Sequence, residues 1–335
     1  MHTFHKIPAT VITGFLGAGK TTLVRHLLEN PHGRRIAVVI NEFGDVGIDR
    51  AVLDGCGCAV ENIIELANGC LCCTVADAFL PVMESLSSRD APPDHIVIET
   101  SGLALPKPLV QAFQWPAVRS RVTVDGVVAV IDATAVASNR FADSPPQDAV
   151  VHDNPLAEVF SDQLSCADMA LLNKTDLVDA AVLAALKWDL SARLRPGARL
   201  VPIHQGRVDP GLLLGLAAAA EDDLMSRPSL HDGLETHDHD DFESFAVVLP
   251  AIADPDDMES RLAEVIAAHD ILRVKGFLDV PGKAMRLVVQ GVGPRLQRYF
   301  DRPWKTAETR CSQIVVIGLK GLDRAEIATA LGAIT

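Results

Sequence analysis

Two short stretches of the chain hold residue types that can do chemistry at their spacing. The first is "GFLGAGKT", residues 14–21: glycine, four residues, glycine, lysine, threonine. Backbone N–H groups of such a loop can surround phosphate oxygens, a lysine can reach the β and γ phosphates, and a hydroxyl can hold Mg²⁺. Gly14, Gly17, Ala18, Gly19, Lys20, Thr21 and Thr22 are therefore the nucleotide-binding candidates, with Lys20 also catalytic and Thr21 the Mg²⁺ ligand. The second stretch is "NGCLCCTVAD", residues 68–77, with Cys70, Cys72 and Cys73 inside four positions. Thiolates are soft ligands that suit zinc, Cu(I) or Co(II), and Cys70 and Cys72 can point two sulfurs at one ion.

The cysteines admit three readings. With Cys56 and Cys58, two of them complete a closed four-thiolate zinc knuckle; standing alone they make an incomplete site that can open and close; or they are inert and buried. Their place between two loops that could respond to a nucleotide favours the transient site. Cys166 and Cys311 lie apart in apolar surroundings and are expected in the core. His231, His237 and His239, among Asp238, Asp240 and Asp241, either take up metal or form a solvated acidic hinge.

Further candidates cluster at strand ends. "LLNKTD" (171–176) sets Asn173, Lys174 and Asp176 after an apolar run. A carboxylate there can accept from N1–H and N2–H₂ of guanine, a pair adenine lacks, which argues for GTP. "HIVIETSG" (95–102) ends in Glu99, Ser101 and Gly102. Glu99 is placed to support Mg²⁺ or water, and Gly102 allows close backbone approach to a γ-phosphate. "NEFGDVGID" (41–49) brings Glu42, a third catalytic candidate, in a polar loop suited to a second switch.

These residues need an α/β scaffold. The runs "ATVITGF", "RRIAVVIN", "HIVIET", "VVAVID", "DMALLNK" and "RLVPIH" predict buried parallel strands, and "TTLVRHLLENP" and "LVDAAVLAALKWDLSARLRPG" predict crossover helices. The pattern ends in an acidic stretch without apolar period. The expected division is a P-loop domain over 1–220, a linker over 221–242 and a small α+β domain over 243–335. A formal charge of −14 repels nucleic acid and anionic membranes, and no apolar run approaches the roughly 20 residues of a membrane span. The N-terminus lacks the features of a secretory signal, and an odd number of cysteines, five of the seven within residues 56–73, fits reduced thiols, so a cytoplasmic protein is expected.

Taken in order, "GFLGAGKTTL", "NEFGDVGID", "ELANGCLCCTV", "IETSGLALP" and "LLNKTD" resemble the CobW-like family of metal-handling P-loop GTPases over essentially the whole chain. The resemblance implies a SIMIBI-type GTPase domain with a mostly parallel sheet, a smaller C-terminal domain and slow intrinsic GTP hydrolysis. It implies that Cys70, Cys72 and Cys73 are the metal site. The segments "NGCLCCTVADAF", "DHIVIETSGLALPKPLVQAF" and "WPAVRSRVTVDGVVAVIDA" look closest to the branch tied to aerobic cobalamin biosynthesis, which implies Co(II) delivery to the cobaltochelatase. A zinc chaperone, with another acceptor protein, and a GTP-gated regulatory switch with a structural zinc knuckle stand as alternatives.

Overall fold

The computed structural model describes residues 6–41, 63–66, 75–139, 155–229, 242–269, 271–292, 295–304 and 308–333. They fall into two compact units, one built from the described residues up to 229 and the other from those beginning at 242.

The first unit is a sheet of β1 (Ile7–Thr13), β2 (Ile36–Ile40), β3 (Ile63–Glu65), β4 (His95–Glu99), β5 (Val122–Asp132), β6 (Met169–Asn173) and β7 (Arg199–Pro202). Their order is β3-β2-β4-β1-β5-β6-β7, and every pairing is parallel. Parallel strands covered on both faces need continuous apolar runs, which is why "IAVVI" is buried at every position. Alternate residues Ala9, Val11, Ala37, Val39, Ile96 and Ile98 form one core with Phe79, Met83 and Leu86 of the helix Val75–Ser87, Leu109 of the helix Pro106–Ala112 and Phe113, which caps that helix. Truncating a side chain such as Phe79, wholly buried here, costs about 3–5 kcal/mol in such a core. The helix α1 (Lys20–Glu29) buries Leu23, Val24 and Leu27.

Strand β5 begins at Val122, five residues before the apolar run that predicts it, because its first half carries Thr123 and Asp125. The register with β1 slips between Ala9 and Thr10, a bulge beside Asp125. Asp125 is buried and accepts from the backbone N–H groups of Gly215, Leu216 and Ala217 at 2.7, 3.1 and 2.9 Å. Its Oδ2 also accepts from the Thr10 hydroxyl at 3.4 Å, and that hydroxyl lies 2.7 Å from Nε2 of buried His95.

Residues 221–229, within the stretch read as linker, pack into this unit. Glu221 is fully buried and accepts from Thr123 Oγ1 at 2.6 Å and Val124 N at 2.9 Å. Arg227, also fully buried, donates to the Cys166 carbonyl and, at 2.8 Å, to Asp168 Oδ1. Acidic composition hides this docking, since a buried ion pair leaves no apolar period to read.

The second unit is an antiparallel sheet of β8 (Phe242–Leu249), β9 (Arg273–Leu278), β10 (Met285–Val292), β11 (Arg295–Pro303) and β12 (Ser312–Leu319), ordered β11-β10-β9-β12-β8. Helices Pro255–Ala268 and Arg324–Leu331 bury Met258, Leu262, Val265, Ile266, Ile327 and Leu331 against Val247, Val274, Leu287 and Ile314 of the sheet. Asp254 and Asp323 cap them, accepting from Asp256 N and Glu326 N at 2.9 Å each. Strand β11, "RLQRYFDRP", has no apolar run because it is an edge, with Tyr299 and Phe300 exposed. Cys311, expected in the core, is exposed at the start of β12, where its apolar neighbours on one side belong to the strand and not to its own surroundings.

Candidate functional site

The C-terminal ends of β1, β4, β5 and β6 converge on the loop Gly14–Gly19, the position at which open parallel sheets bind ligands. Gly14 holds φ +133°, and a Cβ there would lie 2.1 Å from the Val130 carbonyl oxygen, so the loop rides directly on β5. Gly19 holds φ +107°, where a Cβ would lie 2.4 Å from Asn173 Nδ2. Only glycine allows both approaches. Lys20, the first residue of α1, is buried, and its Nζ donates to the carbonyls of Gly14 at 2.7 Å and Phe15 at 3.2 Å.

Thr21 and Glu99 meet. The Thr21 hydroxyl donates to Glu99 Oε1 at 2.7 Å, and Glu99 is buried at the end of β4. The turn that follows closes with Ala104 N donating to the Ser101 carbonyl at 3.2 Å, and it carries Gly102. A Cβ on Gly102 would lie 2.7 Å from Leu16 N, so this turn sits against the phosphate loop.

The "NKTD" residues divide their work. Asn173, buried, donates from Nδ2 to the Ala18 carbonyl at 2.9 Å and accepts at Oδ1 from Gly206 N at 3.1 Å. It fixes the phosphate loop to the segment after β7. Lys174 has φ +61°, a left-handed conformation that costs a non-glycine residue about 1–3 kcal/mol. Its Nζ donates to the Gly17 carbonyl and to Asp132 Oδ2, each at 2.8 Å. Asp176 is exposed on the short 3₁₀ turn Thr175–Leu177, which Thr175 ties to β7 through a 2.8 Å bond from its hydroxyl to the Ile203 carbonyl.

Asp132 and Gly206 lie outside the recognisable motifs. Asp132 ends β5, caps the helix Ala133–Ala137 by accepting from Thr134 N at 2.9 Å, and pairs with Lys174. An aspartate followed by "ATAV" at a strand end is a helix start signal that points to it. Gly206 has φ +65° and leaves no local chemistry to read, so its role is visible only in three dimensions.

Glu42, Cys70, Cys72 and Cys73 lie outside the described residues, as do Cys56, Cys58, His231, His237 and His239. Among the described residues no cluster of three or more metal-ligating side chains occurs. Cys166 is buried, and that burial pushes its thiol up to about 11, so it stays protonated. No described helix is long and apolar enough to cross a membrane.

A glycine-rich loop leading into a helix, a buried strand-end glutamate on its threonine and an Asn-Lys-Thr-Asp turn stapled behind it are the marks of a P-loop GTPase. The chain belongs to the CobW family of such enzymes, whose members are metallochaperones. Residues 8–202 match the family described as CobW/HypB/UreG, nucleotide-binding domain, and 242–335 match the Cobalamin synthesis protein cobW C-terminal domain. The chain is 52% identical to a protein of Sinorhizobium sp named Zinc chaperone CobW, covering 98% of this chain and 97% of that one. It is 50% identical to the protein of the same name from Pseudomonas aeruginosa, over 99% and 92% of the two chains. Zinc chaperone YjiA of Escherichia coli is 33% identical over 98% of each chain. The crystal structure of Zn(II)-bound YjiA GTPase from E. coli covers 97% of this chain and 98% of that one at 30% identity, with a TM-score of 0.47.

Proposed function

We propose that this chain is a cytoplasmic, nucleotide-gated zinc chaperone. GTP binding closes a thiolate site formed by Cys70, Cys72 and Cys73 around Zn(II), and hydrolysis to GDP opens it for transfer to an acceptor protein. The observation that carries the choice of cargo is the full-length likeness to proteins named zinc chaperones. Thiolates also hold Zn(II) more tightly than Co(II) in the usual order of divalent affinities.

In this reading Lys20 leaves its loop carbonyls to meet the β and γ phosphates, and Gly102 presents its backbone N–H to the γ-phosphate. Asp176 accepts from the guanine edge while Asn173 and Lys174 hold the loops around it in place. Thr21 Oγ1 and Glu99 offer a hydroxyl and a carboxylate oxygen 2.7 Å apart, a hard oxygen set that fits Mg²⁺. Mg²⁺ held there would neutralise charge building on the phosphates. Glu42 and Glu99 orient the attacking water. The first unit, including the docked residues 221–229, performs hydrolysis, and the second, from Phe242 on, docks the acceptor.

A second cargo, Co(II) for the cobaltochelatase, is favoured by the match of residues 242–335 to a domain described as belonging to cobalamin synthesis. Competition between Zn(II) and Co(II) for the wild-type chain and Cys72→Ala, with Mg²⁺ and a non-hydrolysable GTP analogue, tests both. The expected result is zinc binding at least about 100-fold tighter than cobalt, with both lost in Cys72→Ala. Equal affinities for the two metals overturn the zinc assignment, and full affinity in Cys72→Ala overturns the thiolate site.

A further inference from the structure

Gln163 lies on the helix Pro155–Cys166 and is 1% exposed. Its Nε2 donates to the carbonyl of Gly102 at 3.2 Å and to that of Ala104 at 3.3 Å. Both partners are acceptors, so the amide orientation is fixed with nitrogen toward the turn. Its Oε1 is buried with no hydrogen-bond partner among the described residues. A buried acceptor left in this way costs free energy that a methionine of similar size would not.

What offsets that cost is the grip on one turn. Residues 101–104 follow directly on the strand end bearing Glu99, and two internal bonds shape them: Leu103 N to Ser101 Oγ at 3.4 Å and Ala104 N to the Ser101 carbonyl at 3.2 Å. A Cβ on Gly102 would lie 2.5 Å from Leu16 Cδ2, so Leu16 of the phosphate loop leaves no room for a side chain on that side. Gln163 holds two carbonyls of the turn from the other. Nothing else in the helix reaches these carbonyls through a side chain among the hydrogen bonds of the described residues.

We propose that Gln163 is a positioning residue for GTP hydrolysis, fixing the 101–104 turn so that the Gly102 amide is held ready for the γ-phosphate. It touches no reacting atom itself. The inference rests on reading Gly102 as the γ-phosphate contact.

Gln163→Met in the full chain removes both N–H bonds and keeps the volume. The variant is expected to lower kcat for GTP about tenfold or more, and to lower the affinity for a non-hydrolysable GTP analogue relative to GDP by a similar factor. GDP, which lacks the γ-phosphate, should bind as in wild type. Unchanged kcat and an unchanged analogue-to-GDP ratio overturn the proposal, as does equal weakening of both nucleotides, the mark of a merely structural role. Gly102→Ala separates the two layers. If it leaves the analogue-to-GDP ratio intact, the reading of Gly102 fails. If it lowers the ratio while Gln163→Met does not, only the role of Gln163 fails. Gln163→His restores a ring N–H donor, so it should hydrolyse GTP faster than Gln163→Met. Should the methionine variant fail to melt cooperatively, Gln163→Leu, which also removes both N–H bonds, decides: an about tenfold lower analogue-to-GDP ratio in a natively folded variant supports the role, and a wild-type ratio contradicts it.

Discussion

The Thr21 hydroxyl donates to Oε1 of Glu99 at 2.7 Å, joining the first turn of α1 to the end of β4 across 78 positions of sequence. Glu99 is buried there, so its carboxylate is aimed by packing and not by solvent. Glu99→Gln keeps the shape and the acceptor for Thr21 but removes the negative charge to which the proposed mechanism assigns support of hydrolysis. GTP turnover should fall on the order of 100-fold or more while GDP affinity stays within a few-fold of wild type. Steady-state phosphate release and GDP titration read the two separately.

Asp176 projects from its 3₁₀ turn into solvent, and its neighbours Asn173 and Lys174 spend their side chains on the phosphate loop. In the proposed reading, guanine recognition by this triplet therefore falls to Asp176 alone. Asp176→Asn should weaken GTP about 10- to 100-fold and bring it close to ITP, which lacks the exocyclic amine, without lowering the melting temperature. Nucleotide competition with GTP and ITP checks this, and an unchanged preference would remove Asp176 from the base site.

At the far end of the sheet, His95 couples stability to pH. Burial drives it from its ordinary 6.5 to about 4, with Asp125 opposing and Arg34 adding to the shift. Thr10 donates to Asp125, which leaves its oxygen to accept from neutral His95 Nε2–H. Between those pH values the unfolded chain binds a proton that the folded chain refuses. Stability from this group is therefore complete above about pH 6.5 and declines as pH falls toward 4, by about 1.4 kcal/mol per pH unit. Urea unfolding at several pH values should show a shallower acid slope for His95→Gln than for wild type. Parallel slopes would mean that His95 keeps its ordinary value in the fold.

Much of this site is legible in the chain because its parts are local. "GFLGAGKT", "ETSG" and "NKTD" each combine a strand end with residue types that have one obvious use there. What escapes the sequence is whatever depends on approach between distant segments. Asn173 reads as a base contact in the motif, yet its amide staples Ala18 to Gly206, a role set by the closeness of Gly19 that only the fold reveals. Asp132 is hidden in an apolar strand whose last residue turns out to hold Lys174. The edge strand β11 and the docked residues Glu221 and Arg227 were obscured for the same reason: polar residues with specific partners carry no periodic signal.

In the proposed function nucleotide state gates metal affinity, and linkage makes that coupling reciprocal. Equilibrium Zn(II) titration of the full chain, with Mg²⁺ and either a non-hydrolysable GTP analogue or GDP, measures it directly. Zn(II) is expected to bind at least about tenfold tighter with the analogue than with GDP, and to tighten the analogue by the same factor. Identical Zn(II) affinity in the two nucleotide states would contradict it.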